Sequence, residues 1–121
     1  MNIEELRDYC LSLKGVSEGM PFDDKVLVFK VMGKMFCLTN IEQFESVNLK
    51  CDPEKAVELR ETYEAVKPGY HMSKIHWNTV MIDGSNSVAQ LQEWIIDSYN
   101  LVSKSLTKKL KLELASFKLI K

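Results

Sequence analysis

The spacing of hydrophobic residues predicts three helices. The first follows a capping box formed by Asn2 and Glu5. The second begins at Asp52, whose following proline suits a first helical turn, and ends before Pro68. The third begins after Ser87. The apolar positions that recur every three or four residues are Ile3, Leu6, Cys10 and Leu13; Ala56, Leu59, Tyr63 and Val66; and Val88, Leu91, Ile95, Val102 and Leu106.

Four other segments have the composition or the alternation of strands. Residues 26–32 are apolar and β-branched, and the Gly33-Lys34 pair predicts a two-residue type II′ loop that leads into a returning strand at 35–39. Residues 46–50 alternate as a third strand, and residues 76–83 form a fourth. The order α-β-β-β-α-β-α predicts an α+β fold: one antiparallel sheet with the helices packed on one face.

The predicted hairpin loop also sets which strand residues lie opposite one another. It pairs Val31 with Phe36, Lys30 with Cys37, and Phe29 with Leu38. Because side chains alternate along a strand, we expect an inner, apolar face that carries Leu27, Phe29, Val31, Phe36, Leu38, Val47 and Leu49. In the fourth strand, an inward Val80 sends Trp77 to the opposite, outer face.

Length and composition restrict the class of protein. A chain of 121 residues with 45% hydrophobic and 27% charged residues is typical of one globular domain and excludes a disordered chain. Its apolar runs are too short for a transmembrane helix, and its acidic start does not resemble a signal peptide. Three cysteines without CxxC spacing disfavour both a disulfide framework and a zinc knuckle. We therefore expect a cytoplasmic monomer with free thiols, no bound metal and no cofactor.

Charge is distributed unevenly along the chain. Residues 1–103 hold ten Lys and Arg against sixteen Asp and Glu, a net charge of −6, whereas residues 104–121 hold six lysines and one glutamate, a net charge of +5. An acidic body disfavours nucleic-acid binding, which draws most of its affinity from cations placed along phosphates. The basic tail either supplies such cations or is a solvated, lysine-rich terminus.

Residues 68–79 concentrate the candidate functional groups. The segment begins with a Pro-Gly pair that ends the helix, and it contains both histidines, one tryptophan, one tyrosine and one lysine. Trp77 is open to two interpretations, a core aromatic with a paired indole or an exposed group that stacks on a ligand. The predicted binding residues of this segment and of the outer sheet face are Lys30, Lys34, Lys50, Tyr70, His71, Lys74, His76 and Trp77.

Residues suited to catalysis or metal binding are few. His71 and His76 are five positions apart, with no third ligand at a suitable spacing, so we do not predict a metal site. Cys37 would face Lys30, whose charge lowers a thiol pKa, although a cysteine in a strand is more commonly a small core residue. The acidic residues of the first helix form only a weak candidate for an iron site. We therefore predict that the chain is not an enzyme.

Several motifs resemble successive signatures of the MmcQ/YjbR family. The segments that carry the resemblance are Pro21-Phe22, residues 29–36, residues 49–54, Pro68 to Lys74, His76 to Thr79, and Ser98 to Val102. The resemblance covers residues 1–109, with residues 110–121 as a basic C-terminal extension whose pattern suits both an edge strand and a helix. It implies a small cytoplasmic α+β domain akin to CyaY, the bacterial frataxin homologue, and DNA binding through a double-wing arrangement of hairpins.

Three functional hypotheses follow. The first is a non-enzymatic module that binds DNA weakly, without sequence preference and with strong salt dependence. The second is a domain that binds a protein or a small molecule through the outer sheet face and the 68–77 loop. The third, an enzyme that uses Cys37 or a histidine, has the least support from the sequence.

Overall fold

The computed structural model describes residues 1–117. They form four helices and six strands in the order α1 (Ile3–Leu11), β1 (Val16–Gly19), β2 (Val26–Val31), β3 (Lys34–Asn40), β4 (Ser46–Lys50), α2 (Pro53–Thr62), β5 (Val66–Pro68), β6 (Trp77–Met81), α3 (Val88–Lys104) and α4 (Lys108–Ala115). The predicted capping box is present, since the Asn2 side chain accepts from Glu5 N and the Glu5 side chain accepts from Asn2 N.

The six strands form one antiparallel sheet in the order β1-β2-β3-β4-β6-β5. The helices pack on one face, and a single large core lies between them and the sheet. Phe29 and Phe36 are fully buried in it, as are Leu6 and Cys10 of α1 and Ile95 of α3. The predicted α+β architecture is therefore confirmed. No helix among residues 1–117 is long and apolar enough to cross a membrane.

Three elements were missing from the predicted order. β1 and β5 are edge strands of four and three residues that contain Gly19 and Pro68, residues uncommon in strands. The third missing element is α4, in the segment whose pattern suited both a strand and a helix.

The end of α2 also differs from the prediction. Helix α2 ends at Thr62 rather than continuing to Val66, which instead pairs with Val80 in the sheet.

The predicted register of the β2–β3 hairpin was wrong. Its two-residue loop is Met32-Gly33, both with positive φ (49° and 88°), the backbone of a type I′ turn. A bulge then leaves Phe36 without a partner, so that Lys30 pairs with Met35 but Phe29 pairs with Cys37. Beyond the bulge the faces are exchanged. Cys37 joins the inner core, and Leu38 moves to the outer face, opposite Val28.

A buried serine of α3 connects the bulge to the end of β4. Ser98 Oγ donates to Phe36 O at 2.6 Å and accepts from Lys50 N at 2.9 Å. The next residue, Tyr99, contacts the Phe36 ring edge-on with 5.5 Å between centroids, and its hydroxyl donates to Lys14 O at 2.6 Å. These contacts position α3 over the irregular part of β3 and satisfy the backbone groups that the bulge leaves free.

The last described helix packs back onto the domain. Thr107 caps α4 by accepting from Leu110 N, and Leu114 contacts the main core. A Cβ atom at Gly15 would lie 2.6 Å from Leu114 Cδ1, and Gly15 also has a positive φ of 71°. Glycine is therefore favoured where α4 meets the α1–β1 turn. Part of the predicted C-terminal extension, residues 118–121, lies outside the described residues.

Candidate functional site

The segment between β5 and β6 lies across the outer face of the sheet. Trp77 packs there against Val28 and Leu38 in a second, smaller core, with Met72 beside it. Gly69 permits this approach, because a Cβ at that position would lie 2.8 Å from both Cβ and O of Trp77. The Pro-Gly pair noted in the sequence thus ends β5 and lets the following loop, residues 69–76, return over the sheet.

Polar groups of the sheet hold the start of this loop. Thr79 Oγ1 donates to Asn48 Oδ1 at 2.6 Å and accepts from Tyr70 N at 2.8 Å. Asn48 Nδ2 donates to Tyr70 O at 3.3 Å. Both backbone groups of Tyr70 are therefore bonded to the sheet, which fixes where its side chain starts.

Arg60 of α2 holds the other end of the loop. Its Nε donates to Asn78 Oδ1 at 2.7 Å, and its Nη2 donates to the carbonyls of Lys74 and Trp77. Asn78 is buried and donates through Nδ2 to Ala56 O at 3.3 Å. This guanidinium connects a helix on the inner side to a loop on the outer side.

The fixed loop displays an aromatic pair. Tyr70 is 67% exposed, and its ring lies 4.0 Å from the His71 ring, centroid to centroid. His71 has a positive φ of 60°, a conformation rare outside glycine and more frequent at functional sites. Trp77, in contrast, is only 7% exposed, which favours the core aromatic among its two interpretations.

The aromatic pair borders a groove of about 530 Å³ on the outer face, termed here the outer groove. The Tyr70–Met72 segment lines it, and so does Phe22, which is 63% exposed. Residues of the sheet form its floor: Val26, Leu38, Thr39, Asn40, Ser46 and Asn48. Large exposed aromatic groups around such a floor are typical of a binding surface.

The predicted lysines are not gathered at this groove. Lys34 Nζ donates to Ser105 O at 3.2 Å near the end of α3, and Lys74 Nζ donates to Gly69 O at 3.0 Å. Lys30 is half-buried in β2, and Lys50 ends β4. Among the groove's lining residues the one lysine is Lys25, which forms an exposed ion pair with Glu42 at 3.6 Å. His76 is exposed just before β6.

Cys37 does not have the environment that the sequence predicted. It pairs with Phe29 rather than Lys30, is fully buried, and contacts the thiol of Cys10. The hydrogen bond with Cys10, followed by burial, raises the pKa of Cys37 well above that of a free thiol. A protonated, enclosed thiol is a poor nucleophile.

The part of the chain that the structure describes contains no group of three His, Cys, Asp or Glu side chains placed to hold a metal ion.

Four residues that organise the site were not among the predicted binding residues. Asn48, Arg60, Asn78 and Thr79 act through hydrogen bonds between elements far apart in sequence, which periodicity does not reveal. Phe22 lies in an irregular segment before β2. The sequence signal that could have indicated them is the presence of amide and hydroxyl side chains at strand positions, because buried polar groups in a sheet need hydrogen-bond partners.

The fold and this loop define an α+β domain with one helix-covered face and one open face. The YjbR family model matches residues 11–101, so the chain belongs to the YjbR family. Uncharacterized protein YbdF of Escherichia coli O157:H7 is 38% identical over 107 residues, covering 88% of each chain. YjbR of Escherichia coli K12 is 35% identical over 100 residues, covering 82% of this chain and 85% of the relative. The crystal structure of Deinococcus radiodurans protein DR2400 has a TM-score of 0.87 at 39% identity, covering 99% of this chain and 92% of that one.

Proposed function

We propose that this chain is a non-enzymatic binding module of the cytoplasm that acts as a monomer and docks a segment of a partner protein in the outer groove. The observation that carries the proposal is the exposed Tyr70–His71 pair, held on a loop whose backbone is bonded to the sheet. A side chain carried on a backbone that is already fixed loses less conformational entropy on binding, so such aromatic groups serve as anchors.

The exposure of the anchors favours a protein over a small molecule. Tyr70 and Phe22 each leave more than three fifths of their surface in solvent. A small molecule on the groove floor would cover little of that surface, whereas a peptide segment crossing the groove would contact both rings. The buried, high-pKa thiol of Cys37 supports binding rather than catalysis.

Selection of phage-displayed peptides on the wild-type chain tests this proposal. Peptides retained by the wild type should lose at least about tenfold in affinity with Tyr70→Ala, a typical cost of a central aromatic anchor. Ile75→Ala is the matched control, because Ile75 is 65% exposed on the same loop but does not line the groove. Peptides that bind Tyr70→Ala and the wild type equally would contradict the proposal.

Weak, sequence-tolerant DNA binding is a second candidate function. It is supported by exposed lysines at one end of the molecule: Lys108, Lys109 and Lys111 on α4, near the Ser105 carbonyl that Lys34 reaches. The net charge of −6 on residues 1–103 and the paired lysine of the outer groove weigh against a site on the sheet. We therefore place any DNA contact at α4.

Fluorescence anisotropy with a labelled duplex at low and high salt tests this second candidate. Changing Lys108 and Lys109 together to Gln should weaken binding and reduce its salt dependence. Changing Lys25 and Lys67 together removes the same charge elsewhere and should have a smaller effect. Equal losses from the two double variants, or binding insensitive to salt, would contradict a site at α4.

A further inference from the structure

A second cavity lies on the helical side of the sheet, between α2 and α3, and is termed here the inner cleft. Its volume of about 360 Å³ falls within the range of small-molecule sites, about 300–1,000 Å³. Leu59, Val80 and Trp94 contribute apolar surface to its lining. Among residues 1–117, none lines both this cleft and the outer groove, so the two sites are separate.

Three lysines from three different elements line the inner cleft: Lys50 at the end of β4, Lys55 in α2 and Lys104 at the end of α3. Within residues 1–117, none of them has a carboxylate oxygen within 4 Å of its ammonium group. Lysines that converge on a cavity without forming ion pairs leave positive charge available to a ligand.

The carboxylates of the cleft offset this charge only in part. Asp52 is the N-cap of α2 and accepts from Lys55 N at 3.5 Å. Burial, and then the nearby Glu93, raises the pKa of Asp97 above its ordinary value, while Lys55 acts in the opposite direction. Three lysines against two aspartates leave the cleft with apolar surface and an excess of positive charge.

The half-buried thiol in the cleft points to binding rather than covalent chemistry. Burial, together with the charge of Asp52, raises the pKa of Cys51, which keeps the thiol protonated. Asn78 also lines the cleft, but its side chain is committed to Arg60 and Ala56. The side chains left for a ligand include the lysines, Asn100 and the apolar surface.

We propose that the inner cleft binds a small organic anion, a carboxylate or a phosphate ester attached to an apolar body. The body packs against Trp94 and its apolar neighbours, and the anionic group lies among the lysines. This arrangement follows the usual division of a small-molecule site, in which apolar surface supplies area and a few polar groups fix orientation.

Nuclear magnetic resonance titration of the ¹⁵N-labelled full-length chain tests this proposal with four probes. Phenyl phosphate and benzoate carry both features, inorganic phosphate lacks the apolar body, and benzyl alcohol lacks the charge. At least one of the two aromatic anions should cause saturable shifts below about 10 mM. The shifts should appear at the amides of residues 49–55 and 97–104 and at the indole of Trp94. The aromatic anion should bind about tenfold more tightly than phosphate or benzyl alcohol.

Matched variants locate the charge contribution. Lys55→Gln and Lys104→Gln should each weaken binding of the aromatic anion by about five- to tenfold. Lys109→Gln, with the same charge change on α4, should leave its affinity unchanged. Tyr70→Ala should leave the affinity unchanged, which separates this site from the outer groove. Absence of saturable shifts, equal binding of benzyl alcohol, or shifts confined to other surfaces would overturn the proposal.

Discussion

Removing the Ser98 hydroxyl should destabilise the fold much more than its size suggests. Ser98→Ala leaves the buried Phe36 carbonyl and the partly buried Lys50 N–H without their partner. Each buried backbone group that loses its hydrogen bond costs about 1–3 kcal/mol. Allowing for partial relaxation, we expect a loss of about 2–4 kcal/mol, a large fraction of the roughly 5–15 kcal/mol that stabilises a typical domain.

Urea denaturation followed by circular dichroism measures this loss directly. Ser103→Ala is a matched control in the same helix, because Ser103 Oγ is buried and no backbone group among the described residues depends on it for a hydrogen bond. That variant should change the free energy of unfolding by less than about 0.5 kcal/mol, or stabilise the protein slightly. If the two substitutions cost the same, the proposed clamp between α3 and the β3 bulge is wrong.

Three further predictions concern the core, the loop and pH. Phe36→Ala should cost about 3–5 kcal/mol in urea denaturation by leaving a cavity beside α3, and a loss below about 1 kcal/mol would contradict its core position. Gly69→Ala should increase quenching of Trp77 fluorescence by acrylamide, because the added Cβ meets Trp77 at 2.8 Å, whereas Gly19→Ala, with no atom within 4 Å, should not. Asp97→Asn should raise the free energy of unfolding at pH 7 but not at pH 3. The raised pKa of Asp97 in the folded state lowers the free energy of unfolding of the wild type only as pH rises above the unfolded pKa of about 3.9. An equal gain at both pH values would exclude this cause.

The fold class could be predicted from the sequence because its signals are local. Helical spacing, the Asn2–Glu5 capping box and apolar strands all operate within a few residues. The bulge at Phe36 could not be predicted in this way, because it depends on a partner in α3 that is 62 positions away. A single inserted residue was enough to exchange the faces of Cys37 and Leu38.

Sequence spacing predicted the loop of the candidate site but not how its residues pack. The Pro-Gly pair and its polar successors indicated a loop after β5, and in the structure this loop displays Tyr70 and His71. The sequence could not show that Met72 would cover the outer face and enclose Trp77. Nor could it show that Lys50 would line a cleft on the helical side. Both outcomes depend on tertiary packing, to which sequence spacing is insensitive.

The central claim is that the outer groove, bordered by Tyr70 and His71, is the binding surface. The most direct measurement is a titration of the ¹⁵N-labelled chain with a peptide selected on the wild type, followed by amide chemical shifts. The account predicts that the shifted amides lie at residues 38–40, 46–48 and 70–72, and that Tyr70→Ala reduces the shifts at a given peptide concentration. Shifts confined to α4 or to the inner cleft, or shifts that Tyr70→Ala leaves unchanged, would contradict it.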